Sequence, residues 1–185
     1  MKFADVPSAY YLHRGNHKIV TMLKNNNVMV MELERDTVIE VFVDYVSNIT
    51  YSTQPYEGHF PHRDFVLTRT PIKENFLKGD YVIIPRQKSI RYILEALEAD
   101  CPGSFFRWNY FDAYLQQKEG FSAYIFEEKA IAFLNENPEI KTAFLAKKES
   151  EKEFANNAYA QLHWVYQQTR FFEKEFMRIP VFRVF

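Results

Sequence analysis

The chain has 185 residues, 47% hydrophobic and 25% charged, a globular mixture that argues against intrinsic disorder. Its 23 Lys and Arg against 24 Asp and Glu leave a formal charge of -1, so no basic surface recommends nucleic acid as a partner. The lone Cys101 excludes an intramolecular disulfide and a multi-cysteine zinc site, and no apolar run approaches the roughly 18 residues that span a bilayer.

In chain order, Ala9 to Leu12 reads as a strand, followed by a helix that Asn16 caps and whose buried stripe is Ile19, Val20, Met22 and Leu23. Asn25-Asn26-Asn27 ends the helix and Val28 to Met31 supplies a second strand, a β-α-β opening. A second β-α unit matches the first at a shift of 71 positions, with Tyr10, Leu12, Asn16 and Ile19 opposite Tyr81, Ile83, Gln87 and Ile90. Between the copies, Ile39, Val41, Val43 and Tyr45 alternate with Glu40 and Asp44, the period-two pattern of a half-buried strand. Asp64 to Thr70 is a further strand, and Thr53 to His62, with two prolines and a glycine, is a loop.

After Pro102-Gly103 the pattern turns helical. An aromatic segment runs from Phe105 to Lys118, and Phe121, Tyr124, Ile125, Ile131 and Leu134 form a helical stripe. Asn137-Pro138 opens another helix, and Ser150 with Glu153 has capping-box spacing for one whose Phe154, Ala158, Leu162 and Val165 share a side. Ile179 to Phe185 is a closing strand. The expectation is an α/β fold with a mixed sheet built around two β-α units and a helical C-terminal portion. One accessory domain spans residues 1–185, with an α/β core over 1–100 and a mainly helical portion over 101–185 packed on it.

The histidines are His13, His17, His59, His62 and His163, and none has a glutamate three residues later. His59 and His62 could converge on a metal with His13 or His17, assisted by Glu57, but the spacing neither selects a metal nor completes its ligand set. Cys101 lies in no strained-elbow motif, and the glycines form no phosphate loop. Two sets remain as ligand or interface candidates: Tyr56, His59, His62 and Arg63 in the loop, and Trp108 with the aromatic group of Phe105, Phe106, Tyr110 and Phe111. At helical spacing that group also suits a core.

Longer strings carry a resemblance. PSAYYLHRGNHKIVTMLKNNNV, QPYEGHF, GDYVIIPRQKSIRYILEALEAD, SFFRWNYFDAYLQQKEGF and RIPVFRVF occur in an order that resembles the C-terminal region of bacterial, Bacteroidetes-type M14-family zinc carboxypeptidases. The resemblance covers nearly the whole chain. It implies an exported parent, periplasmic or extracellular, whose separate N-terminal peptidase domain binds the zinc and removes C-terminal residues from peptides. No catalytic or metal-binding role of that domain falls on a residue here, so the chain is expected to hold no cofactor and to serve as a noncatalytic accessory region, with the peptidase domain as its partner. The start, MKFADVPSAYY, shows no apolar export signal. The alternatives are an independent peptide- or glycan-binding module, and a small hydrolase using Cys101, His59 or His163.

Overall fold

The computed structural model describes residues 5–185. Chain contacts gather them into two units, one of residues up to Gln116 together with Glu175–Phe185, the other of Gln117–Lys174. The division therefore falls later than the expected boundary after residue 100, and the closing strand belongs with the sheet.

Among its described residues the first unit carries β1 (Ala9–Leu12), α1 (His17–Asn25), β2 (Met31–Glu32), β3 (Thr37–Ser47), β4 (Val66–Phe76), β5 (Tyr81–Ile83), α2 (Ile90–Leu97) and β6 (Phe182–Val184). The strands form one sheet in the order β2-β5-β1-β6-β3-β4, every ladder antiparallel. The fold is α/β with a helical portion towards the C-terminus, as the sequence leads one to expect, but the expected mixed sheet is antiparallel throughout, because the strands of the two β-α units pair with each other head to tail.

The 71-residue repeat has a physical meaning. Tyr10 faces Ile83, Tyr11 faces Val82 and Leu12 faces Tyr81, so the strands of the two β-α units lie side by side about a local two-fold at Tyr11 and Val82. The opening strands β1 and β2 consequently do not pair, because β5 lies between them. The strand expected over Val28 to Met31 shrinks to Met31–Glu32, since the side-chain amide of Gln87 takes the place of a neighbouring strand. Its Oε1 accepts from Met29 N at 2.7 Å and its Nε2 donates to Met29 O at 3.1 Å.

Leu12, Ile83, Ile93 and Phe106 are buried together with α1 and α2 on one face of the sheet. On the other face Val41, Val43, Phe76 and Phe182 pack together, and full burial of a Phe side chain is worth about 1.5–3 kcal/mol. Strand β4 outruns the expected Asp64 to Thr70 because it is an edge strand, where the missing N–H of Pro71 need cost no ladder bond. The polar face expected for Glu40 and Asp44 is also revised, because Asp44 is buried in an ion cluster with Arg183, Glu98 and Arg69. Tyr10 donates to Glu98 Oε1 at 2.6 Å, and burial together with that carboxylate pushes the phenol far above its ordinary pKa. Two guanidiniums meet two carboxylates, so the burial costs little uncompensated charge.

The second unit holds α3 (Ala123–Glu136), α4 (Pro138–Ser150), α5 (Lys152–Ala155) and α6 (Ala158–Gln167) around Phe126, Ala130, Val165 and Tyr166. Pro138 opens α4 as its sequence predicts, with Glu139 in the first turn and Lys147 and Lys148 in the last. The capping box is a miss. Ser150 ends α4, its hydroxyl donating to Lys147 O, and the helix start falls to Asn157, whose side chain accepts from Ala160 N at 2.9 Å. The stripe of α3 is also shifted: Phe126 and Ala130 are buried, whereas Tyr124 is 89% exposed, and Ile125 and Ile131 also face outwards. Among the described residues no helix is long and apolar enough to cross a membrane.

Candidate functional site

The β3–β4 hairpin extends past its strands into the segment read as a loop. Arg63 N donates to Thr50 O at 2.9 Å and Ser52 N to Pro61 O at 2.9 Å, with Tyr51 bridged to His62. At the tip, Tyr56 and His59 exchange backbone hydrogen bonds of 2.8 and 2.9 Å. The two residues between them, Glu57 and Gly58, have φ of +50° and +78°, the left-handed pair of a type I′ turn.

Against this tip lies the segment Phe105 to Phe111, a series of turns rather than the expected helix. Asn109 takes φ of +68°, which breaks helical continuation and divides the aromatic group. Phe105, Phe106 and Phe111 turn into the core, whereas Trp108 is half-buried and Tyr110 is 44% exposed. The Trp108 indole N–H donates to Pro102 O at 3.0 Å, which sets the ring's plane.

A patch of rings results. Tyr56 and Trp108 have centroids 5.9 Å apart, His59 lies 5.9 Å from Trp108 and 5.2 Å from Tyr110. Tyr56 is 63% exposed, and Tyr51 and Phe60 are exposed on the same hairpin. Such rings join apolar area to polar tips, the composition of surfaces that take peptide or sugar. The comparisons give nothing to place beside it. No family model, no curated protein and no solved structure matches this chain.

Of the sequence candidates, Tyr56, His59 and Trp108 thus meet at the surface. Arg63 stays exposed on the hairpin arm, its Nη2 3.4 Å from Ser52 Oγ. His62 is 1% exposed and lies beneath, its Nε2 2.8 Å from Asp112 Oδ1 and its ring edge-on to Tyr51 and Phe106. Burial holds the His62 imidazole below its ordinary pKa; Asp112 works against that shift and Arg107 adds to it. Arg107 fastens the hairpin to the turns, its Nη1 donating to His62 O and Arg63 O at 3.0 Å each, while His62 N donates to Arg107 O at 2.8 Å. Sequence patterning does not single out Arg107, Asp112 or Tyr51, because the bonds that join Arg107 and Asp112 to the hairpin span 44 or more positions and Tyr51 meets His62 only once the hairpin has formed.

The other titratable candidates lie apart from the patch. His13 is held between Asp80 Oδ2 at 3.0 Å and Glu74 Oε1 at 3.6 Å, and Arg178 donates to Glu74 at 2.7 Å. Among the described residues no three His, Cys, Asp or Glu side chains are arranged to hold a metal. Burial, with Glu95, Glu98 and Asp100 nearby, pushes the Cys101 thiol up, the wrong direction for a nucleophile. His163, in the helical unit, has its Nε2 3.1 Å from Gln117 Oε1 and lies beside the stacked rings of Phe121 and Tyr159.

Proposed function

We propose that this chain is a noncatalytic accessory region of an exported M14-type zinc carboxypeptidase, and that its hairpin-tip patch helps to present peptide to the peptidase domain. The observation that carries the binding part is the convergence of Tyr56, His59, Trp108 and Tyr110 from two separate stretches of chain. Core packing alone does not require these rings outside. Phe105, Phe106 and Phe111 already fill the interior from the same segment, yet its remaining rings stay at the surface. The ordered strings that resemble M14 carboxypeptidases support the accessory part, and the zinc and the water-activating groups belong to the peptidase domain of that parent.

Titration of the chain with unstructured peptides and with oligosaccharides, followed by isothermal titration calorimetry, tests the binding part. Saturable peptide binding that Trp108→Ala weakens about tenfold or more is expected; absence of saturation with every peptide overturns it. The accessory part stands or falls on the native gene, where a coding segment with His-x-x-Glu upstream is expected. Binding without such a segment would instead make the chain an independent peptide- or glycan-binding module.

A further inference from the structure

The sheet ends on one side at β4, and among the described residues no strand lies beyond it. Its neighbour β3 determines which backbone groups of β4 stay open. Asp44 O accepts from Ile179 N at 2.9 Å and Val46 N donates to Met177 O at 2.8 Å, so the even-numbered residues of this stretch turn their backbone away from β4. The odd-numbered Val43 and Tyr45 therefore make the ladder bonds, with Thr70 and Thr68. On β4 the backbone groups of Leu67, Arg69, Pro71, Lys73 and Asn75 consequently face outwards, an open row of the kind that pairs with a strand of another chain.

Both ends of that edge are closed. Towards the hairpin tip, His62 N donates to Arg107 O at 2.8 Å and Arg107 Nη1 donates to His62 O at 3.0 Å. Just past the other end, Leu77 N donates to Asp80 Oδ2 at 2.8 Å. In the centre stands Pro71, exposed and without an N–H to offer. One position either way, at Thr70 or Ile72, a proline would remove a bond from the sheet itself; at 71 it removes only a bond to an incoming strand. We propose that Pro71 is an edge guard, which keeps β4 from pairing with the β4 of a second copy of this chain.

A second copy is the partner to be kept out, because β4 laid antiparallel on itself in full overlap is two-fold symmetric and uses the whole row. Pro71 then faces Pro71, so both central donors are missing and the two rings crowd the seam. Arg69 faces Lys73 on either side of the centre, and like charges directly opposite one another repel. The guard is independent of what the hairpin tip binds.

Pro71→Thr restores the N–H in a β-branched residue and adds little apolar surface. In sedimentation, P71T should self-associate about tenfold or more tightly than the wild-type chain, from the donor regained in each copy. Amide hydrogen exchange locates the contact. In the wild-type chain the outward amides of Leu67, Arg69, Lys73 and Asn75 should exchange fast beside protected Thr68, Thr70 and Ile72; in P71T the outward amides should gain protection as concentration rises. Self-association of P71T no tighter than wild type, or tighter but with the outward amides still fast, overturns the proposal. Outward amides already protected in the wild-type chain overturn it whatever the variant does. Pro71→Val gives the same readings if P71T does not fold.

Discussion

Arg183 Nη1 lies 3.0 Å from Asp44 Oδ2, with neither side chain reaching solvent to any extent. The pair fastens the last strand, β6, to β3 through charge as well as through the ladder, and Arg183 Nε extends the link to Glu98 at 2.9 Å. Removing one member of a buried pair leaves the other charged and unsolvated, at a cost of about 3–5 kcal/mol. Arg183→Ala should therefore lower the urea midpoint steeply at neutral pH. Arg69→Ala should cost less, because the Arg69 side chain is 40% exposed and water replaces its lost bonds. Equal losses would show that the cluster is not organised around Arg183.

Two histidines give the stability profile opposite slopes. Hydrogen bonding to Glu74, against the opposing effect of burial and with help from Asp80, raises the pKa of His13. Its contribution is full below the unfolded value of about 6.5 and is lost as pH rises through the folded value. For His62, which burial keeps low, the unfolded chain binds the proton more readily, so stability falls as pH drops below about 6.5. Each group contributes a slope of at most about 1.4 kcal/mol per pH unit. His13→Gln should flatten the alkaline side of the profile of unfolding free energy against pH, and His62→Gln the acid side. A profile unchanged by either variant would remove that histidine from the account.

Local pattern made much of the sheet legible. The repeat of Tyr10 and Leu12 in Tyr81 and Ile83 reflects an actual pairing of like strands, and Asn137-Pro138 starts a helix by local backbone chemistry. What failed depended on distant partners. Val28 to Met31 has strand composition, but the amide of Gln87, 58 positions on, occupies its edge. Asp44 reads as a solvent-face residue until Arg183 arrives from the far end of the chain. The run from Phe105 carries helical spacing, yet the left-handed Asn109 sends some rings inward and others out. At the candidate site the ring-bearing residues were visible by type, whereas Asp112 and Arg107, which hold the site together, have no local signature.

The hairpin tip offers a test of backbone strain. Glu57 sits at φ of +50°, where a side chain without a short polar group to satisfy the backbone is disfavoured. Type I′ turns prefer Asn-Gly, so Glu57→Asn should stabilise the chain by about 0.5–1 kcal/mol, read from the thermal midpoint. Gly58→Val, which forces a branched residue to φ of +78°, should act in the opposite direction and loosen Tyr56 and His59 along with the turn. A stabilising Gly58→Val would mean that the tip relaxes to another turn type in solution.

Binding and folding can be separated within the aromatic segment itself. Phe111 is 2% exposed, and Phe111→Ala should cost about 3–5 kcal/mol of stability by leaving a cavity. Trp108 is half outside, and its indole is fixed by one hydrogen bond to Pro102 O, so Trp108→Ala should leave the fold intact. If peptide docks on the patch, the loss of this ring should weaken binding about tenfold or more, as for buried aromatic anchors at interfaces, and Tyr56→Ala should have a smaller effect. The two measurements must diverge: near-wild-type unfolding with lost affinity for Trp108→Ala, and lost stability for Phe111→Ala. A Trp108→Ala chain that melts as early as Phe111→Ala would make the ring a core residue and remove the physical basis for a binding patch at the hairpin tip.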